Sequence, residues 1–314
     1  MFDMRRDHMP GRKVEEFRYY EMPRGRYDLA LLGDKWITNY RTGEQHFHNF
    51  YEISYCYFGE GVVFLGERSE PYGPGTISLI PSIFPHGIHS KEGGICSWEF
   101  LYLDLAGFIE RCYQGQEYHG AKILEEITQF PILIDEKDYP GLSGVVRAIL
   151  EENREQKMLN QETVNGYIYV LIQELVRLNQ FMSRIDEEES LHIEKIRPAL
   201  VYIEMHYQEE IKIRALAECC SISEPYFRKL FRNCMKISPL EYINTVRVQK
   251  ACDYLRKKDY PVNELAWKVG YTSVSTFERN FKKIVGKAPK QWRLKSNTNR
   301  EYVGYSTKVL RGWR

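Results

Sequence analysis

His46, His48 and Glu52, with His86 further along the chain, are residue types that can take a cation or hold a polar small molecule. By period-2 alternation His46 and His48 point to one side of a strand, and Glu52 falls on that side too. His86 can join them from across the fold. Three imidazoles and a carboxylate suit Zn, Ni, Fe or Mn, with positions left open for a ligand. The same four residues suit a metal-free pocket for a small-molecule effector, or a polar cluster whose members satisfy one another. No other cofactor is required, and no catalytic residue is assigned.

A second kind of chemistry stands downstream. Arg228, Lys229 and Arg232 project from one short amphipathic segment, and Arg279, Lys282 and Lys283 from another. Such side chains neutralise phosphates, and an arginine can bind a guanine edge through two hydrogen bonds. The two segments belong to an internal repeat with a period of about 50 residues. One copy runs Leu216-Ala217-Glu218-Cys219-Cys220-Ser221-Ile222-Ser223, then Phe227-x-x-x-Phe231; the other runs Leu265-Ala266-Trp267-Lys268-Val269-Gly270-Tyr271-Thr272, then Phe277-x-x-x-Phe281. Each copy predicts a helix, a tight turn, and a second helix capped by Ser or Thr, with both Phe side chains on its inner face. Ala217 and Ala266 suit a close helix crossing. Gly270 suits a left-handed turn residue, and Ser221 is the costlier occupant of the same place.

Several elements must position these groups. Pro239 starts a helix that runs to about Lys257, a spacer of about 25–30 Å. That length can set two reading helices in successive major grooves, about 34 Å apart. Upstream, from about Phe17 to Leu105, runs such as 51–58, 62–65 and 76–80 alternate with glycines and prolines and predict an all-β barrel or sandwich. Val164, Ile168, Leu171, Leu175 and Leu178 form a seam on a helix of five to six turns, preceded by a helix carrying Leu142, Val145, Val146, Ile149 and Leu150. The seam can pack on the barrel or on its copy in a second chain.

Charge divides the chain in the same way. Residues 1–190 hold 19 basic against 31 acidic side chains, and residues 191–314 hold 25 against 12. A basic half that meets a polyanion and an acidic half that avoids it is the expected consequence. Seven cysteines with no C-x-x-C pair predict free thiols in a reducing compartment, the cytoplasm. The charged N-terminus is no secretory signal, and no apolar run is long enough to span a membrane.

The C-terminal residues resemble the arabinose-regulator (AraC/XylS) family of transcription factors. The likeness is carried by Ile213 to Phe231, Ser238 to Ile243, Arg247 to Leu255, Leu265-Ala266-x-x-Val269-Gly270-Tyr271, Phe277-x-x-x-Phe281-Lys282-Lys283, Gly286 to Pro289 and Trp292-Arg293. It implies two helix-turn-helix subdomains that read promoter DNA, RNA polymerase as a partner, and base contacts at Pro225, Arg228 and Lys229 and at Val274, Ser275 and Arg279. Pro225 and Val274 are less polar than the family pattern and can touch only a thymine methyl with their side chains.

Upstream, His46-x-His48-x3-Glu52-x6-Gly59 and Gly75-x5-Pro81 followed by His86 resemble the two cupin motifs, with Ile83 and Ser90 replacing the second motif's Gly and Asn. The expected fold is α+β with two domains: a cupin-like β-barrel with accessory helices, then an all-α domain of two helix-turn-helix units joined by a linker helix. The expected divisions are a flexible N-terminus (1–14), the effector-binding barrel (15–105), a helical accessory and dimerisation region (106–185), a linker (186–190), the double helix-turn-helix (191–295) and a basic tail (296–314). The expected function is a cytoplasmic, homodimeric, sequence-specific regulator. It senses a small molecule, often a sugar in such regulators, with Tyr55, Phe84 and Trp98 available to stack on it, whereas Phe47 alternates away from His46 and His48 and suits the core or the surface better. The alternatives are a metal-dependent cupin enzyme fused to a DNA-binding module, and a purely architectural DNA binder.

Overall fold

The computed structural model describes residues 16–40, 45–66, 68–128, 131–182, 191–235, 237–257, 260–292 and 307–311. The expected N-terminal segment 1–14, the linker 186–190 and tail residues 296–306 and 312–314 lie outside the described residues.

Short runs of β-branched and aromatic residues form strands β1 (Glu16–Tyr20), β2 (Asp28–Leu31), β3 (Ile37–Thr38), β4 (His46–His48), β5 (Tyr51–Phe58), β6 (Gly61–Leu65), β7 (Arg68–Tyr72), β8 (Thr76–Ile80), β9 (His86–Ser90) and β10 (Cys96–Leu103). Then come α1 (Leu105–Cys112), α2 (Glu117–Ile127), β11 (Ile132–Asp135), α3 (Pro140–Glu155) and α4 (Asn160–Met182). The C-terminal half holds α5 (Leu191–His206), α6 (Ile213–Cys219), α7 (Glu224–Met235), α8 (Pro239–Lys257), α9 (Val262–Lys268), α10 (Val274–Val285) and β12 (Thr307–Arg311).

Two sheets build the N-terminal domain, one in the order β12-β1-β4-β9-β6-β7 and the other β11-β8-β5-β10-β2, with β3 beside β10. They enclose a core that includes Phe47, Val63, Leu65 and Tyr72 from the first and Leu31, Cys56, Trp98 and Phe100 from the second. The outer face of the second sheet carries Tyr51, Ile53, Ile77, Leu79, Leu101 and Leu103, packed under the helices α1 to α4. With both faces covered, all eight residues of β10 are buried, so its sequence lacks the polar alternation of a half-solvated strand.

Two expectations need correction, and one open choice is narrowed. The stretch 106–185 is not wholly helical: β11 pairs antiparallel with β8, because Ile132-Leu133-Ile134 is too short an apolar run for its period to show. The seam Val164, Ile168, Leu171, Leu175 and Leu178 is buried inside this chain, in one cluster with Leu142, Val146, Ile149 and Leu150. It therefore packs on its own domain, one of the two packings its sequence leaves open. Finally, Thr307–Arg311 is not an appended tail but an edge strand running antiparallel to β1.

The helical half follows the repeat. Phe227, Phe231, Phe277 and Phe281 are fully buried, as are Ala217 and Ala266 at the crossings. Ser238 opens α8 through a capping box: its hydroxyl accepts from the Glu241 N–H at 3.2 Å, and the Glu241 carboxylate accepts from the Ser238 N–H at 3.1 Å. The helix spans Pro239–Lys257, as its sequence predicts, roughly 28 Å.

Each helix-turn-helix turn is closed in the same manner. The Gly270 N–H donates to Trp267 O and the Tyr271 N–H to Ala266 O; in the first copy Ser221 donates to Glu218 O and Ile222 to Ala217 O. The residue that must be left-handed is Gly270 (φ +88°) in one copy and Ser221 (φ +55°) in the other.

Candidate functional site

The four upstream residues meet inside the barrel, but not along one strand. The chain turns a corner at Asn49-Phe50, so β4, with His46 and His48, lies in one sheet and β5, with Glu52, in the other. The pattern of alternation continues across the corner and so conceals it. His86 stands on β9 directly opposite His46. One ligand atom from each of the four lies within 4.8 Å of all the others. His48, Glu52 and His86 are almost wholly buried, and His46 partly so.

The protons decide what this cluster can hold. His48 Nδ1 donates to the Phe50 carbonyl at 2.8 Å and His86 Nδ1 donates to the Phe84 carbonyl at 2.9 Å. These bonds fix the tautomer and leave the Nε2 lone pairs aimed inward. His48 Nε2 faces Glu52 Oε2 at 3.1 Å, and His86 Nε2 faces Glu52 Oε1 at 3.7 Å.

Burial holds the His48 imidazole below its ordinary 6.5 despite the carboxylate beside it. Burial, then the Arg18 guanidinium and His86, holds His46 well below that value. For Glu52, burial pushes upward, but His86 and His48 more than offset it and keep the carboxyl well below the usual carboxylate range. At neutral pH His46 and His48 are therefore neutral imidazoles beside a carboxylate, and His48 Nε2 faces Glu52 Oε2 acceptor to acceptor. His48 Nε2, His86 Nε2 and Glu52 Oε2 are buried with no hydrogen-bond partner in the structure. Such an arrangement needs a positive charge between the lone pairs, and the deprotonated ligand set is what a divalent transition metal takes. His48, His86 and Glu52 fit the metal, whereas His46 Nε2 accepts from Arg18 Nη1 and joins them only when that guanidinium moves away.

Sequence reasoning missed the surroundings. Arg18 Nη1 donates to His46 Nε2 at 3.1 Å. Tyr20 and Tyr102 stack with centroids 3.8 Å apart, and Tyr102 stands edge-on to His48. Asn49 binds Tyr20 twice, accepting from its N–H at 2.8 Å and donating to its carbonyl at 3.1 Å. These residues are far apart in the chain and carry no local motif. Tyr55, Phe84 and Trp98, expected as stacking surfaces, are buried in side-chain packing, and Phe47 lies in the core, in keeping with its alternation away from the histidines. Ile83, which replaces the motif glycine, is left-handed at φ +59°, a conformation that costs a β-branched residue.

The downstream residues behave differently. Pro225, Arg228, Lys229 and Arg232 are exposed on α7, and Ser275, Arg279, Lys282 and Lys283 on α10, with Val274 half-buried. Arg228 folds back on Glu224, its Nε and Nη2 donating at 2.9 and 2.7 Å, so one candidate base reader is held within its own helix. Lys283 reaches Glu241 of α8 at 3.5 Å and acts as a tether between the helices. The cap of α10 is Ser273, which accepts from the Thr276 N–H, and not the preceding Thr272.

Comparison with known proteins gives the same division. The profile described as an AraC-like ligand binding domain matches residues 35–172, and that of a helix-turn-helix domain matches 216–295. The chain is 24% identical over 274 residues to the uncharacterized HTH-type transcriptional regulator YfiF of Bacillus subtilis, covering 85% of this chain and 84% of that protein. It is 21% identical over 289 residues to the uncharacterized HTH-type transcriptional regulator YdeC of the same species, covering 90% and 95%. Among solved structures, ToxT from Vibrio cholerae O395 aligns over 85% of this chain and 96% of its own at 13% identity, with a TM-score of 0.39. The chain belongs to the AraC family of transcription regulators, with an N-terminal ligand-binding domain and a C-terminal helix-turn-helix domain. It is a DNA-binding regulator of transcription, and no helix among its described residues is long and apolar enough to cross a membrane.

Proposed function

We propose that this chain reads promoter DNA with α7 and α10 and takes its signal as a divalent transition cation bound by His46, His48, Glu52 and His86. The observation that carries the DNA half is the pair of exposed basic helices that precede and follow one unbroken helix, α8, in the chain. Arg228, Lys229 and Arg279 face bases. Arg232 and Lys282 neutralise phosphate, with Pro225, Val274 and Ser275 in van der Waals or hydrogen-bonding reach of the groove.

Arg279→Ala tests it. Binding to a duplex selected by the full chain from a random-sequence pool should weaken by about 1–3 kcal/mol and lose discrimination at one position. An equal loss on every duplex assigns Arg279 to phosphate, and no loss on any duplex at moderate salt removes α10 from the interface.

The facing lone pairs of His48, His86 and Glu52 favour a cation over a carbohydrate, for which the four buried aromatics offer no open face. The cluster serves as a sensor and not as a catalytic centre. The tyrosines beside it are spent on each other, Tyr102 donating to Tyr20 at 2.8 Å. Burial raises both hydroxyls, that of Tyr20 to about 12, so neither is a base at neutral pH.

RNA polymerase is the partner through which such binding changes transcription, and the cytoplasm, where promoters and reduced thiols coexist, is its place. The seven cysteines form no disulfide. Self-association uses the outer face of α4, where Tyr169 and Val170 remain 46% and 44% exposed after the seam is buried. Val170→Glu should leave a folded monomer by light scattering; an unchanged mass for a dimeric wild type excludes that face.

A further inference from the structure

Three consecutive residues at the barrel corner have separate tasks. His48 puts its ring into the cluster, and Phe50 offers the carbonyl that fixes that ring. Between them, the Asn49 carbonyl leaves the barrel altogether and accepts a hydrogen bond from Gln249 Nε2, on α8, at 2.6 Å. Both partners are buried. The Asn49 side chain is committed to Tyr20 on both its atoms, so the corner has no slack. A displacement of the His48 ring is passed to the Asn49 carbonyl within one peptide unit.

The second imidazole is joined to the same corner. The His48 carbonyl accepts from the Ile83 N–H at 2.7 Å, and Ile83 is the left-handed residue just before Phe84, whose carbonyl fixes His86. One further residue along, the Pro85 carbonyl accepts from the Gly66 N–H at 2.9 Å. Gly66 in turn lies so close to the end of α7 that a Cβ there would stand 2.9 Å from the Cys234 carbonyl. The loops that aim the two rings are thus the loops on which α7 and α8, the first reading helix and the spacer, are seated. Ile83, strained and fully buried, stands where the two paths join.

We propose that occupancy of the cluster and the seating of α7 and α8 on the barrel are a single linked equilibrium, with Asn49 and Ile83 as positioning residues and Gln249 as the group on the DNA-binding domain that senses the corner. This rests on the cation reading of the cluster. Linkage is reciprocal: the factor by which the cation favours the seated arrangement is the factor by which the seated arrangement favours the cation, so loosening the seat weakens the cation. Gln249 hydrogen-bonds to none of the four cluster side chains, its Nε2 being on the Asn49 carbonyl and its Oε1 without a partner, so the hydrogen-bonded path from its substitution to cation affinity runs through the corner.

The test uses Gln249→Met in the full chain, which keeps the side-chain volume and removes the donor. Zn(II) affinity, measured by competition with a chromophoric chelator, should fall by up to about fivefold, the worth of one net buried hydrogen bond. The change that Zn(II) produces in affinity for a selected duplex should shrink in the same variant. A folded Gln249→Met chain with wild-type Zn(II) affinity and an undiminished Zn(II) effect on the duplex overturns the linkage and leaves the cation site standing.

A wild-type chain that takes up none of Zn(II), Ni(II), Fe(II) or Mn(II) overturns the cation reading instead. The linkage is then decided by a double-mutant cycle of Glu52→Gln and Gln249→Met on duplex affinity. Coupling of about fivefold supports it, and additive effects reject it.

Discussion

Gly270→Ala is expected to destabilise the DNA-binding half by about 3 kcal/mol and to remove measurable duplex binding. Two costs add. An L side chain in the left-handed region loses about 1–2 kcal/mol, and forced overpacking about 1–3 kcal/mol more. The overpacking is visible in the structure, since a Cβ at Gly270 would stand 2.4 Å from the Tyr207 carbonyl at the end of α5. Backbone cannot swing aside as a side-chain tip can. The first copy is the control, because Ser221→Gly removes strain at φ +55° and should stabilise by about 0.5–1 kcal/mol. Thermal melts of both variants check the pair. A Gly270→Ala chain that melts with the wild type would show that the α9 turn does not set the second reading helix.

Zn(II) is expected to raise the melting temperature of the full chain, and chelation to reverse the rise. At a free concentration a thousandfold above Kd the gain is about 4 kcal/mol, several degrees for a domain of this size. Glu52→Gln should abolish it, because the amide brings two protons to a site whose other members already present lone pairs. Without metal, acid should destabilise the chain in two stages. Below the ordinary imidazole value of 6.5 the unfolded chain binds protons that His46 and His48 refuse while folded, so stability falls as pH falls. Glu52 adds stability above the ordinary carboxylate value, and that part is lost as pH drops towards its depressed folded value. Zn(II) uptake should stay level from pH 8 to 7 and decline in acid. A melting temperature indifferent to Zn(II), Ni(II), Fe(II) and Mn(II) would mean that a proton, giving an imidazolium at His48, fills the gap between the lone pairs.

Much of this was legible in the residues, for physical reasons that differ by element. The start of α8 was readable because Pro239 announces it, and the capping box that fixes it came to light only in the fold. Both turns were readable because left-handed backbone restricts residue type so sharply that Gly270 and Ser221 stand out. The cluster was readable from His46, His48, Glu52 and His86 because their types are rare in a barrel core. What stayed hidden was non-local. The corner at Asn49-Phe50 keeps the alternation of side chains while changing sheets, so periodicity cannot reveal it. A seam such as Val164 to Leu178 looks the same whether it packs on its own domain or on a second copy. Arg18, Tyr20, Tyr102 and Gln249 reach the site from separate parts of the chain, and only the folded arrangement unites them.

The unbroken α8 also limits which promoters can answer. Glu241 opens this helix and holds Lys283 of α10, so the second probe is fastened to the same rod that sets its distance from the first. Half a turn of duplex, about 5 base pairs, inserted between two otherwise perfect sub-sites would carry one of them to the far side of the DNA. A regulator built this way works as a caliper, judging spacing and phase as well as letters, and two promoters with identical words but different gaps are different addresses to it.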